Sequence, residues 1–310
     1  MKDAGGSARR FSPKSRPGEA LALVLLVFVV LELGLRLPAL PSWWEAGIYN
    51  GNLLSERVAL LVESARNEHL NWSGYRGAEW VPERDPRPRL ALLGDSRVFG
   101  LYVESEQTFA SLLDRTTAWS AYNFGIPGAS SYEAVDFVVE DVIDQSPDAA
   151  VVCYDINSSL LSYFDKKDSG RRGDYSIQFL RSFATFRWAE LGWKVTTGDR
   201  EPVMSVQDYR DDLSQLLRRL KEAGAERQVV FVGWTPLRDF EGLYTGERYE
   251  LFRQASREVA QREGAQIVEM EEVLRGHSPD EVLTGMETIH LSVRGHRLVA
   301  DALASVLGAP

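Results

Sequence analysis

Four short segments of the chain carry residues able to do acyl-transfer chemistry. Leu93-Gly94-Asp95-Ser96 puts a serine directly after an apolar run, and Asn123-Phe124-Gly125-Ile126-Pro127-Gly128 is a glycine-rich turn. Asp155-Ile156-Asn157 offers a side-chain amide, and Glu287-Thr288-Ile289-His290 offers an imidazole with a carboxylate three residues before it. Attack on an ester carbonyl needs a nucleophile, a base to take its proton and donors for the oxyanion that forms. Ser96 fits the first role, His290 with Glu287 the second, and backbone and side-chain amides the third. Each residue taken alone also has a plainer reading. Ser96 can be a helix N-cap, His290 a surface histidine at a helix start, and Glu287 a solvated acid before a helix N-terminus.

Such groups converge only if the chain presents them along one edge. The apolar pattern predicts strands at 89–93, 121–124, 149–156, 228–233 and 266–271. Between and after them it predicts helices beginning at 109 and spanning 132–144, 206–223, 244–263 and 293–307. Strand and helix alternating at this spacing require right-handed crossovers, hence a parallel sheet with helices on both faces. Ligands of such sheets lie beyond the carboxyl ends of the strands, where the serine, the glycine turn and the asparagine all fall. His296, inside the last predicted helix, reads as a packing or surface residue.

Composition bounds the rest. The 310 residues are 44% hydrophobic and 26% charged, which excludes collagen-like, low-complexity and wholly disordered chains. One cysteine, Cys153, rules out an intrachain disulfide and a Cys-rich metal site. The net charge of −10 is unevenly spread, with about +4 on residues 1–18 and about −13 on residues 41–310. A basic tip on an acidic body is not the footprint of a nucleic-acid binder.

The same asymmetry is a topology signal. Twelve uninterrupted apolar residues, 20–31, follow the basic tip, and Trp43 and Trp44 follow Pro38 and Pro41. Residues 19–40 therefore read as one transmembrane anchor, with the N-terminus in the cytoplasm and the body outside it. A cleaved secretory signal shares the basic flank and apolar stretch, but no small-x-small cleavage site lies between that stretch and Trp43. A buried core helix explains the apolar stretch but neither the basic flank nor the tryptophan pair. The organisation expected is a basic cytoplasmic tail at 1–18, the anchor at 19–40, and a juxtamembrane helix (52–68) with linker within 41–88. The main domain follows at 89–310, with an aromatic-rich insertion at about 157–204. That insertion reads equally as a lid or acyl-binding wall and as a helical excursion burying its own face.

With these residues in view, the chain resembles the SGNH (GDSL-type) hydrolases over about residues 70–308, in particular the membrane-anchored bacterial members. Gly94-Asp95-Ser96, continuing as Arg97-Val98-Phe99-Gly100, is similar to the family's first block, and the turn 123–128 to its second. Asn157 matches the third block and His290 the last, with residues 291–300 similar to the family's final helix. The resemblance implies a three-layer α/β/α flavodoxin-like fold and catalytic Ser96, His290 and Glu287. It implies an oxyanion hole from the Ser96 and Gly128 N–H groups and the Asn157 amide, and no metal or cofactor. Two positions depart from the family pattern. Glu287 stands where an aspartate is usual, and Asp155-Ile156-Asn157-Ser158 replaces Gly-x-Asn-Asp. The extra methylene of Glu287 shifts its carboxylate by about 1 Å, and misplacement on that scale can cost roughly 10²-fold in rate. Asp155 brings a carboxylate to the oxyanion edge, where it opposes the developing charge unless it is turned away.

The implied activity is a membrane-anchored serine esterase acting on a carbohydrate or lipid ester through an acyl-enzyme. Two alternatives stay open at this level. One is an acyltransferase of envelope polysaccharide or lipid working with an integral membrane partner. The other is a non-catalytic binding module on the same fold.

Overall fold

The strands form because short runs of Leu, Val and Ala are buried on both sides. In β1 (Arg89–Gly94) every residue from Leu90 onward is buried, as are all five residues of β3 (Ala149–Cys153). With β2 (Ser120–Gly125), β4 (Arg227–Val232) and β5 (Gln266–Glu269) they make one parallel sheet in the order β2-β1-β3-β4-β5. The computed structural model describes residues 26–27, 70–71, 75–77, 85–162, 201–236, 239–240, 244–284 and 289–310. Register sets Gly94 level with Gly125 on one side and Cys153 on the other, so three carboxyl ends share one edge.

Alternating side chains enter opposite cores, as the period of two in a strand demands. Ala91, Leu93, Val152 and Val230 face one core; Leu90, Leu92, Val151 and Phe231 face the other. The first is closed by α3 (residues 131–143), α5 (Val206–Glu222) and α6 (Gly246–Glu263). Leu213, Leu216, Leu217 and Leu220 recur at three- and four-residue spacing along α5 and bury completely or nearly so. The second core is closed by α2 (Phe109–Thr116) and α9 (Val293–Leu307), through Phe109, Leu113, Val299 and Leu303. Between β1 and α2 lies α1 (Ser96–Phe99), and α4 (Asp155–Ser159) follows β3. Two short helices, α7 (Met270–Val273) and α8 (Pro279–Val282), lead into α9. Helix starts carry the expected caps: the hydroxyls of Thr108, Ser205 and Ser292 accept from the backbone N–H groups of Ser111, Asp208 and Gly295.

Two expectations need correction. The strand predicted at 149–156 stops at Cys153, because Tyr154 turns the chain (φ −134°, ψ 11°) and Asp155 begins α4. The long helix at 132–144 is interrupted by a π-helical stretch, Ala134–Val138, which widens the turn in its middle. Of the expected anchor only Leu26 and Val27 are described. Among the described residues, no helix is long and apolar enough to cross a membrane. The tail 1–18, the helix at 52–68, Glu287 and residues 163–200 of the insertion lie outside the described residues. At the ends of that last stretch, Leu161–Ser162 pairs antiparallel with Glu201–Pro202.

Candidate active site

Ser96 is the first residue of α1, at the end of the buried strand β1. The Asp95 carboxylate caps this turn by accepting the Arg97 N–H at 2.9 Å, and the Gly100 and Leu101 N–H groups close it on the Ser96 carbonyl. The serine is partly exposed between buried neighbours, so its hydroxyl faces the ligand edge. His290 reaches it from a place 194 residues along the chain, with Nε2 2.9 Å from Ser96 Oγ. The histidine is held by its own backbone. Its carbonyl accepts the Thr284 N–H, Leu291 bridges to Leu283, and the Ser292 N–H bonds the Val282 carbonyl as α9 begins.

His290 is 4% exposed. Burial, reinforced by the nearby Arg97 guanidinium, lowers its pKa from 6.5 to about 4. At neutral pH the imidazole is therefore neutral, the form that can accept a proton from Ser96 at Nε2 when Nδ1 carries the hydrogen. Tyr102 stands edge-on to the imidazole with ring centroids 5.2 Å apart; it is 63% exposed and holds a left-handed backbone, φ +71°.

The donors expected for an oxyanion gather on the neighbouring strand ends. Gly128 lies in the turn after β2 with φ +78°, a conformation that side chains oppose and glycine accepts. Asn157, in α4, donates its side-chain amide to the Ala129 carbonyl at 3.2 Å, which ties it to the turn carrying Gly128. Ser158 bonds across the same gap, accepting the Ser131 N–H and donating to the Tyr154 carbonyl. Thus Ser96 and His290 meet directly, and Asn157 meets the Gly128 turn.

Asp155 does not face the oxyanion edge. Its side chain is buried and turned inward, one oxygen accepting from Arg97 at 2.5 Å and the other from the Gly233 N–H at 2.6 Å. Arg97 also takes Asp95 in a two-pronged contact, Nε to Oδ1 at 3.2 Å and Nη2 to Oδ2 at 2.9 Å, and donates to the Tyr249 hydroxyl at 3.3 Å. Burial pushes the Asp95 carboxyl above its usual range, against the pull of Arg97, and the guanidinium stays charged. Arg97, Tyr249, Gly233 and Tyr102 were not singled out from the sequence. The one signal that could have found the cluster was a charged residue inside an otherwise apolar block, with aspartates at two strand ends.

His296 packs, as expected of one of its two readings. It is wholly buried, and its Nδ1 accepts the Phe109 N–H at 3.1 Å, serving the N-terminus of α2. Cys153 is buried at the end of β3 and its thiol is raised by burial, so it is a packing residue.

Residues 92–298 match the family model described as GDSL-like Lipase/Acylhydrolase. No curated protein matches the sequence. Among solved structures, the chain is similar to the lipase/acylhydrolase from Enterococcus faecalis, at 16% identity and a TM-score of 0.50, over 70% of this chain and 94% of that one. It is similar to a putative lipolytic protein of the G-D-S-L family from Desulfitobacterium hafniense DCB-2, at 13% identity and a TM-score of 0.48, over 70% and 98% of the two chains. A third is LAE5, an alpha/beta hydrolase from the metagenome of Lake Arreo, at 16% identity and a TM-score of 0.49, over 71% and 94%.

Proposed function

The chain belongs to the GDSL-like lipase/acylhydrolase family, serine hydrolases of ester bonds, and from that premise we propose that it cleaves a carbohydrate or lipid ester through an acyl-enzyme formed on Ser96. The observation that carries this reading is the 2.9 Å contact between Ser96 Oγ and His290 Nε2. His290 takes the hydroxyl proton as Oγ adds to the ester carbonyl carbon. The carbonyl oxygen becomes an oxyanion and is held by the Ser96 and Gly128 N–H groups and the Asn157 amide. Collapse of this intermediate breaks the ester C–O bond, and His290 returns the proton to the departing alcohol. Water, activated by the same imidazole, then adds to the acyl carbon, and Ser96 leaves with its proton restored. Glu287 serves to hold the imidazole in the tautomer that keeps Nε2 free to accept.

Asp155 does not argue against catalysis, because its charge is met by Arg97 below the site rather than left at the oxyanion edge. The anchor at 19–40 and the basic tail before it support a body held at the outer face of a membrane. Transfer to an acceptor hydroxyl would use the same acyl-enzyme with a different second nucleophile.

The test is intact-mass analysis of the full chain in detergent after treatment with a fluorophosphonate probe. One adduct on wild type, absent from Ser96→Ala and His290→Ala, is the expected result. Folded wild type that takes no adduct would overturn the serine-hydrolase mechanism. Rapid labelling with negligible hydrolysis of p-nitrophenyl acetate would assign transfer rather than hydrolysis.

A further inference from the structure

Arg97 is an arginine with a 1% exposed side chain, one residue past the nucleophile. Burying its charge with those of Asp95 and Asp155 carries a large desolvation cost, and apolar replacements of such clusters are often as stable. Stability alone therefore gives a weak account of it. Its geometry gives a better one. A single guanidinium grips Asp95, at the end of β1, and Asp155, at the start of α4. Asp155 in turn holds the Gly233 N–H at the end of β4, and Arg97 reaches Tyr249 on α6. The fit leaves no slack. A Cβ on Gly233 would lie 1.6 Å from Arg97 Nη1 and 2.8 Å from the Tyr249 hydroxyl.

The two gripped carboxylates flank the reacting groups. Ser96 stands between Asp95 and Arg97, and Asn157 follows Asp155 by two residues within the same short helix. We infer that the Arg97–Asp155 pair is a positioning element: it sets the nucleophile turn against the Asn157 turn, so that attack and oxyanion capture occur at one fixed separation. The planar fork of arginine suits this task, since it fixes two carboxylates at once in a way that an ammonium does not. The inference rests on the reading of Ser96 and His290 as the catalytic pair.

Asp155→Asn is the incisive variant. It leaves Arg97 paired with Asp95 and keeps an acceptor for the Gly233 N–H, while cutting the charged tie between the two turns. Arg97→Lys is the second variant, retaining the charge and losing the fork. Full-length wild type and both variants are treated with the fluorophosphonate probe, and rate and final adduct stoichiometry are read by time-resolved intact mass. The expected result is wild-type final stoichiometry, reached roughly tenfold or more slowly, because displacement of reacting groups by fractions of an ångström is felt at that scale. With p-nitrophenyl acetate, kcat falls likewise and KM holds. Labelling at the wild-type rate overturns the inference, as does a lower stoichiometry at unchanged rate, the mark of a merely structural role. Wild type that fails to label overturns the catalytic pair itself and this inference with it.

Discussion

Acidification should unfold this protein in part through histidines that the fold keeps neutral. His296 is fully buried, and its pKa falls from 6.5 to about 3, first through burial and then through the Arg76 guanidinium and His290. The unfolded chain takes up a proton on this imidazole as the pH drops through about 6.5, while the folded protein resists until near its own lower value. Within that window the unfolded state binds more protons. The stabilising effect is thus complete above about pH 6.5 and is lost as pH falls toward the folded value. Between about pH 7.5 and about pH 5, His296 accounts for a loss of about 2 kcal/mol by this linkage. His290, lowered to about 4, contributes in the same direction by nearly as much. Against a typical total of about 5–15 kcal/mol, this is a large fraction. The assay is urea unfolding followed by tryptophan fluorescence at both pH values, on wild type and His296→Gln. Glutamine does not titrate, and its amide oxygen can still accept the Phe109 N–H. Asp95, raised by burial, works in the opposite sense, but it and the other carboxylates are common to both proteins and cancel in the difference. The variant should lose about 2 kcal/mol less than wild type over the interval. Parallel losses, within about 0.5 kcal/mol, would refute the assignment of His296 as a buried neutral imidazole.

The activity should follow a different acid limb from that of an ordinary histidine. With His290 neutral down to about pH 4, probe labelling at about pH 5 should stay within about twofold of that at about pH 7.5; an unperturbed imidazole would give a fall of roughly thirtyfold. Asn157→Ala should lower kcat for p-nitrophenyl acetate by about 10²–10³-fold with unchanged circular dichroism, and a loss below about threefold would remove Asn157 from the oxyanion hole. Leu217→Ala, at a site with no exposure on the sheet-facing side of α5, should cost about 2–5 kcal/mol in urea unfolding. Gly233→Ala should be destabilised by at least about 1–3 kcal/mol, because its methyl must displace Arg97; a wild-type unfolding midpoint would contradict the tight fit.

Much of this molecule is legible in the sequence, for local reasons. Continuous apolar runs such as 149–153 announce strands buried on both faces, and the leucine spacing at 213, 216, 217 and 220 announces a helix face. Ser96 and His290 are legible because each stands at the boundary of such an element, with a motif around it. Where β3 ends is not, because Ile156 looks like more strand until Asp155 finds Arg97 and the Gly233 N–H. The cluster below the nucleophile escapes for the same reason. Arg97 is buried only because carboxylates from positions 95 and 155 and an empty space at 233 come together, and no window of neighbouring residues contains that information. The orientation of Asp155 decides whether its charge opposes the chemistry or supports the frame, and orientation is a property of the assembled sheet. For His296, one helix pattern allowed both packing and surface readings; the Phe109 N–H, which has no acceptor within α2, takes its Nδ1 and selects packing.

The small ladder between Leu161–Ser162 and Glu201–Pro202 has a consequence for how this fold can change. It sets the two ends of the insertion side by side, so the chain leaves and rejoins the described fold at one place. The entropic cost of closing such a connection grows only slowly with its length, by about 0.6 kcal/mol per doubling. Halving the connection at this ladder should therefore change stability through closure entropy by only about 0.6 kcal/mol.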